Sequence, residues 1–293
     1  VGRVAAYSRV TPADKLAIIE ALQANGEIVA MLGDGINDAA ALKRADVGVS
    51  MGIRGTDVAK EAAAIILQDD QLETVAAAVE EGRVIFDNIR KSVFYLFSCN
   101  VAEVFVMLVA GLAAWPLPLF PLQLLWVNML TDTFPALALA MEPGDPLIMQ
   151  RPPRNPKEAF LSKSFLMGIG GYAALIMAST LGAYWCVHVV DPTRAQTAAF
   201  MTLGMSQALH LVNARRLEGV TGHTHFSNPY AIGGVLLALS LQLAPVFIAP
   251  LAGALHVVQL GANDWLVVVT AAVAPALIGQ WVKGMRRRAA EDG

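Results

Sequence analysis

Over roughly the first 70 residues, short apolar runs alternate with polar helical stretches. Thr11-Pro12-Ala13-Asp14 predicts a helix start, because proline fits the first turn, where its missing N–H is not needed. That helix runs from Lys15 to about Ala24 and stops near Gly26. Residues 27–32 predict a buried strand that breaks at Gly33-Asp34-Gly35, and a second helix follows to about Arg44. A strand over 47–51, a loop at Gly52 and Gly55, a helix over 57–64 and a short strand over 65–67 complete the stretch. Strands alternating with helices predict a parallel α/β sheet.

From Gln71 the pattern becomes one long helix with no breaker except Gly82. It passes from charged positions (Glu80, Glu81, Arg83, Arg90, Lys91) into apolar ones at Ser92. Residues 92–114 are long enough to span a bilayer, which takes about 20 residues. Five more spans are expected over 121–141, 165–190, 198–213, 230–251 and 265–282, so the chain reads as an α/β part followed by an all-α, multi-pass membrane domain of six helices. Basic residues gather before the first span (Arg83, Arg90, Lys91), after the second (Arg151, Arg154, Lys157, Lys163), after the fourth (Arg215, Arg216) and after the sixth (Lys283, Arg286, Arg287, Arg288). The other three loops carry almost none, with Arg194 the exception. By the positive-inside rule the α/β part and the C-terminus lie in the cytoplasm, and the cell membrane is the expected site.

Composition supports this division. Of 293 residues, 56% are hydrophobic and 15% charged, too apolar for one soluble domain, in which about a quarter of residues are charged. A net charge of −3 gives no reason to expect a nucleic-acid partner. Cys99 and Cys186 fall inside apolar runs and read as two buried thiols, with neither a disulfide framework nor metal-ligand spacing. No signal peptide opens the chain, which starts at Val1 within what reads as a soluble domain. His223 and His225 lie in the loop after the fourth span with no third ligand near, and read as loop residues.

Two constellations carry chemistry. Gly33-Asp34-Gly35-Ile36-Asn37-Asp38 sits where a strand becomes a helix, and in open α/β sheets ligands bind at the C-terminal ends of strands. Two carboxylates and an amide within five positions make a hard oxygen site suited to Mg²⁺, which is often held by one or two carboxylates plus phosphate. The bland alternative is an acidic turn with an N-cap aspartate. The second constellation lies in the membrane, where a charged side chain costs about 2.5–3.5 kcal/mol on insertion scales. Asn100 and Glu103 are three apart on the first span; Asn128, Thr131 and Asp132 follow at i, i+3 and i+4 on the second. Two carboxylates, two amides and a hydroxyl form an all-oxygen set that suits Ca²⁺ and suits soft metals poorly, with Mn²⁺ the rival ion. Pro135 has no N–H to give the Thr131 carbonyl, which is left free beside these ligands. Interhelical hydrogen bonding is the alternative role for the amides.

The residues Met31 to Ala39, which contain Gly33-Asp34-Gly35-Ile36-Asn37-Asp38, resemble the hinge motif of the P-type ATPases. Thr11-Pro12-Ala13-Asp14-Lys15 is similar to the family segment whose lysine reaches the phosphate, and Ala41 to Gly52 continue the likeness; Ala40 stands where many relatives have proline. The resemblance implies a partial haloacid-dehalogenase-like domain in which Asp34 holds Mg²⁺, Asn37 and Asp38 orient the phosphate region, and Lys15 neutralises its charge. Asn100-Val101-Ala102-Glu103 and Leu124 to Asp132 look like the fifth and sixth spans of calcium pumps, whose matching side chains bind transported Ca²⁺. Sodium pumps carry aspartate at the Asn128 position, and Arg151-Pro152-Pro153-Arg154 also resembles the calcium group. Gln207 stands where two-site calcium pumps have glutamate.

The family's phosphorylated aspartate lies in Asp-Lys-Thr-Gly, and no such sequence occurs here. The chain is therefore expected to be the C-terminal part of a calcium-pump-like P-type ATPase: 1–72 the end of the phosphorylation domain, 73–91 a stalk, and 92–293 the fifth to tenth spans. Its partners would be ATP, Mg²⁺, Ca²⁺, membrane lipid and the missing N-terminal half of the polypeptide, without which it is inactive. The alternative is a non-catalytic, channel-like cation-binding membrane protein.

Overall fold

The computed structural model describes residues 6–154, 158–215 and 228–291, with side chains as far as Met285. His223, His225, Lys157 and Arg216 lie outside the described residues, as do the side chains of Arg286, Arg287 and Arg288. The chain forms two units that divide after Gly82, with 153–157 falling to the first.

In the first unit, α1 (Pro12–Ala24) starts where the sequence places it. The Thr11 hydroxyl accepts from the Asp14 N–H, and the Asp14 carboxylate accepts from the Thr11 N–H at 2.8 Å and its hydroxyl at 2.7 Å. This reciprocal cap satisfies N–H groups that have no partner within the helix. β1 (Ala30–Gly33) leads through one 3₁₀ turn (Ile36–Asp38) into α2 (Ala39–Arg44); β2 (Val47–Met51), α3 (Asp57–Ala62) and β3 (Ile65–Leu67) follow. The three strands are parallel in the order β1-β2-β3, with Ala30 opposite Val47 and Val49 opposite Ile65. β1 begins later than the sequence predicts because the Val29 N–H goes to the Asp46 carboxylate at 2.9 Å rather than to a strand. Ile19, Leu42, Val49, Ala59 and Leu67 form the core. Gly48 lets β2 pass close under α2: a Cβ there would lie 2.4 Å from the Leu42 carbonyl oxygen.

α4 (Glu73–Leu112) begins before the division and continues past it as one helix of 40 residues, about 60 Å long and so about twice the thickness of a bilayer core. In the second unit, α5 (Pro121–Trp126), a π-helical turn (Val127–Thr131) and α6 (Thr133–Ala140) follow one another. Then come α7 (Lys163–His188), α8 (Pro192–Ala214), α9 (Pro229–Phe247), α10 (Ala249–Ala254) and α11 (Ala262–Glu291). Among the described residues, α4, α7, α9 and α11 are long and apolar enough to cross a membrane. Thus four of the six expected spans meet that description as single helices. The span expected over 121–141 is broken at its π turn, and α8 is the other remaining one.

α8 is the central helix of this unit. Nearly every residue from Ala195 to Ala214 is buried, so its surroundings are protein and it can carry Thr202, Gln207, His210 and Asn213 where a lipid-facing helix would carry leucine. Outward positions of α4, α9 and α11, such as Leu112, Phe247 and Trp281, are apolar and exposed. Both cysteines are free; Cys99 is buried as expected, but Cys186 is exposed because it lies on the outward side of α7.

A buried ion pair fastens one end of the bundle. Arg215 Nε donates to both oxygens of Glu142 at 2.9 and 3.0 Å, and Asn228 Nδ2 donates to Oε2 at 2.6 Å. Asn88 Nδ2, from α4, donates to the Glu142 backbone carbonyl at 2.6 Å. Glu142 is 4% exposed, so loss of its cation leaves a buried charge, at a cost of about 3–5 kcal/mol. Arg215→Ala should therefore lower the unfolding temperature of the purified protein markedly. Arg44→Ala, which breaks the exposed pair with Glu20, should cost less than about 1 kcal/mol in the same measurement.

Candidate functional site

The acidic loop of the first unit forms where β1 gives way to the 3₁₀ turn. Gly33 ends the strand with Asp38 folded directly over it; a Cβ on Gly33 would lie 2.5 Å from the Asp38 Cβ. Asp38 is thereby buried. Its Oδ1 accepts from Lys15 Nζ at 2.5 Å and its Oδ2 from the Gly35 N–H at 3.3 Å. Burial pushes the Asp38 carboxyl up, but the hydrogen bonds from Lys15, Gly35 and the Asp34 backbone together with the Lys15 charge outweigh it, and the group lies below its ordinary value. The Asp34 carbonyl accepts from the Thr56 N–H at 2.8 Å, tying the loop to the start of α3. Asp34 and Asn37 are exposed. Lys15, Asp34, Asn37 and Asp38 thus share one loop region. Asp38 serves as its internal fastening, and Asp34 and Asn37 offer oxygens outward.

The second cluster lies among α4, the π turn and α8. Glu103 is 7% exposed. Its Oε2 accepts from Asn128 Nδ2 at 2.6 Å and its Oε1 from Gln207 Nε2 at 3.0 Å, so two amides from two other elements hold one carboxylate. Gln207 also points its amide N–H at the Cys99 carbonyl, 3.4 Å away. Asp132 is buried, and its Oδ1 accepts from the Tyr95 hydroxyl at 3.2 Å. Among the described residues, Asp132 Oδ2 and Gln207 Oε1 are buried oxygens with no hydrogen-bond partner. Unsatisfied buried acceptors are rare in folded proteins and call for a ligand or another explanation.

The π turn explains part of this geometry. The Asp132 N–H bonds to the Val127 carbonyl, five residues back, at 2.9 Å, and Pro135 one turn later supplies no N–H of its own. The wider turn redistributes the side chains. Asn128 reaches Glu103, whereas the Thr131 hydroxyl folds back onto the Val127 carbonyl at 2.8 Å. Asn100 also stands apart: it is exposed, and its amide donates to the Leu96 carbonyl at 2.8 Å. The buried stripe of α4 is Tyr95, Cys99, Ala102, Glu103 and Val106. The structure therefore brings Glu103, Asn128 and Gln207 together, sets Asp132 beside Tyr95, and leaves Asn100 and Thr131 bonded to their own helices. Tyr95 escapes a search for charged residues, although its spacing of four from Cys99 and eight from Glu103 marks the same stripe.

Two family profiles match the chain: "Cation transporting ATPase, C-terminus" over residues 116–285 and "haloacid dehalogenase-like hydrolase" over residues 2–46. Several curated proteins are similar. A "Calcium-transporting ATPase" of Bacillus subtilis (strain 168) is 44% identical over 275 residues, which is 93% of this chain and 31% of that protein. "Calcium-transporting ATPase 1" of Bacillus cereus is 40% identical over 295 residues, 94% of this chain and 33% of that protein. "P-type sodium-transporting ATPase4" of Toxoplasma gondii is 45% identical over 214 residues, 70% of this chain and 16% of that protein. The chain spans about a third of the length of the two bacterial relatives.

A carboxylate whose folded value is lowered contributes stability that is present above its ordinary value and lost as pH falls through the folded one. For Asp38, with an ordinary value of 3.8, that loss should come on acidification below about pH 4. Lys15→Gln removes the largest lowering influence, so carboxyl NMR titration should find Asp38 shifted upward in that variant. An unchanged titration would mean that the lysine does not hold it.

Proposed function

The chain belongs to the cation-transporting ATPases, and from that premise we propose that it is the C-terminal part of an ATP-driven pump that moves Ca²⁺ across a membrane through an aspartyl-phosphate cycle. The observation that carries this reading is the pair of buried carboxylates, Glu103 and Asp132, set among apolar helices with two unsatisfied oxygens beside them. Each carboxylate opposes membrane insertion by about 2.5–3.5 kcal/mol, which a structural role filled equally well by leucine would not require. The donor set of carboxylate and amide oxygens is the chemistry of a hard cation.

Glu103 is held by the N–H sides of two amides. Asparagine and glutamine carry both a donor and an acceptor on one rotatable group. A half-turn of Asn128 and Gln207 would replace their N–H groups by oxygens facing a cation beside Glu103, so these amides can hold the carboxylate when the cation is away and ligate when it is present. Asp132 Oδ2 and the carbonyl oxygens freed around the π turn and Pro135 would complete the shell, with Asn100 and Thr131 further candidates after side-chain rotation. The two named calcium ATPases among the bacterial relatives support Ca²⁺; the sodium-transporting relative makes Na⁺ the ion to test against, alongside Mn²⁺.

In the first unit, Asp34 would hold Mg²⁺, which supplies charge neutralisation at phosphate oxygens. The exposed oxygens of Asp34 and Asn37 at the end of β1 fit such an ion, and Lys15, fastened to Asp38, places a positive charge in the same loop region. We assign 1–72 to the phosphorylation domain, 73–91 to a stalk and 92–293 to six spans, counting α5–α6 and α8 with the four apolar helices. On this reading, Lys and Arg near the span ends favour a cytoplasmic α/β part and C-terminus, and the cell membrane is the site we propose.

Vesicles holding the protein expressed from its natural gene should accumulate radioactive Ca²⁺ when ATP is added. Glu103→Gln should weaken Ca²⁺ activation by at least about tenfold, the loss typical when a metal site is disturbed. Asp34→Asn should abolish phosphoenzyme turnover while leaving Ca²⁺ binding in place. ATP-driven uptake of Na⁺ instead of Ca²⁺ would overturn the ion, passive flux without ATP dependence would point to a channel, and uptake indifferent to Glu103→Gln would overturn the site.

A further inference from the structure

We infer that Tyr95 and His210 are positioning residues for the membrane cation site: Tyr95 fixes which oxygen of Asp132 is left to the cation, and the His210 ring fixes Tyr95. The inference rests on reading the Glu103–Asp132 cluster as the cation site. Asp132 has two oxygens of equal chemistry, and the structure makes them unequal. Oδ1 accepts from the Tyr95 hydroxyl, whereas Oδ2 is buried and has no hydrogen-bond partner among the described residues. Cys99, a weak thiol donor, and Glu103 also lie near the same carboxylate. Held through Oδ1 by the Tyr95 hydroxyl, the side chain is oriented with its other oxygen left to a ligand, as an outer group orients a metal ligand.

The tyrosine needs holding in turn, because its hydroxyl stands at the end of a side chain with two rotatable bonds. Tyr95 is fully buried. The imidazole of His210, from α8, stacks on its ring with centroids 5.9 Å apart and planes 17° from parallel. Tyr172, from α7, also packs against His210, at 4.6 Å, and Phe94 lies 5.8 Å from it. Neither nitrogen of His210 has a hydrogen-bond partner among the described residues. The contacts that His210 makes are therefore those of a flat ring, and an aromatic face is what the arrangement uses. This differs from an ordinary packing role in one respect: the effect should appear in cation affinity, because the chain of contact ends on a ligand oxygen.

The test measures Ca²⁺ activation of phosphoenzyme formation in the protein from its natural gene, for Tyr95→Phe, His210→Leu, His210→Phe and the double variant Tyr95→Phe/His210→Leu. Tyr95→Phe keeps the ring and loses the hydroxyl; it should raise the half-activating Ca²⁺ concentration about tenfold, the scale of one hydrogen bond to a charged group, with the maximal phosphoenzyme level at saturating Ca²⁺ retained. His210→Leu should do the same, His210→Phe should restore the unsubstituted affinity, and the double variant should be no worse than Tyr95→Phe alone, as coupled positions behave. Additive losses, or a His210→Phe as weak as His210→Leu, would overturn the assignment of His210. Unchanged affinity in Tyr95→Phe would overturn the inference as a whole while leaving the pump reading intact. Absence of any Ca²⁺ activation in the unsubstituted protein overturns both.

Discussion

A carboxylate placed between apolar helices has to be held by donors, and in this chain the donors come from different elements. Glu103 belongs to α4, Asn128 to the π turn and Gln207 to α8, and the two amides meet on the two oxygens of one side chain. In so buried a place each of these bonds is electrostatically stronger than at a surface, and a missing one is correspondingly costly. The position of α8 follows from this constraint. A helix that must bring Gln207 to Glu103 is surrounded on all sides, and its polar residues can then be tolerated as interior ones.

The π turn serves the same end. In an unbroken α-helix, Asn128, Thr131 and Asp132 would share one face. One extra residue in the turn rotates the remainder of the helix, so that Asn128 points towards α4's carboxylate while Asp132 reaches Tyr95. Such single-turn widenings are frequent at functional sites, and the physical reason is visible here. The turn weakens the regular hydrogen-bond ladder just where Pro135 already interrupts it, which frees backbone carbonyls inside the bundle without a separate break elsewhere.

Much of this was legible in the sequence. The strand over 47–51 and the helix opening at Thr11-Pro12 appear at their expected positions because each is set by local chemistry, a short apolar run with Val47 and Val49 that ends at Gly52 in one case and a reciprocal cap in the other. Glu103 and Asp132 stood out because charge in an apolar run is conspicuous. The features that stayed hidden depend on rotation or on long-range contact. Asn100 is three residues from Glu103, about 60° away around the helix, enough to leave one exposed and the other buried. The Lys15 contact spans 23 residues to reach Asp38, and from spacing alone either aspartate of the loop could have received it. Hydropathy separates α8 from its neighbours because its surroundings are protein, a fact that composition cannot encode.

The two clusters use one physical device in opposite ways. Asp38 has both oxygens engaged, one by Lys15 and one by the Gly35 N–H, so it is spent on shaping its loop and leaves Asp34 as the outward carboxylate. Asp132 has one oxygen engaged and one left over. A carboxylate saturated by donors is a structural element, whereas one satisfied through a single oxygen has its second oxygen left for a cation. By that criterion Glu103, with two amide donors, stands between the two. Its donors belong to groups that can turn and present oxygen instead, so it can pass from the saturated state to the ligating one by torsion of Asn128 and Gln207 alone. The need for reversible occupancy accounts for amides at these positions: lysine or arginine there could neutralise Glu103, but neither has an oxygen to offer a cation once turned.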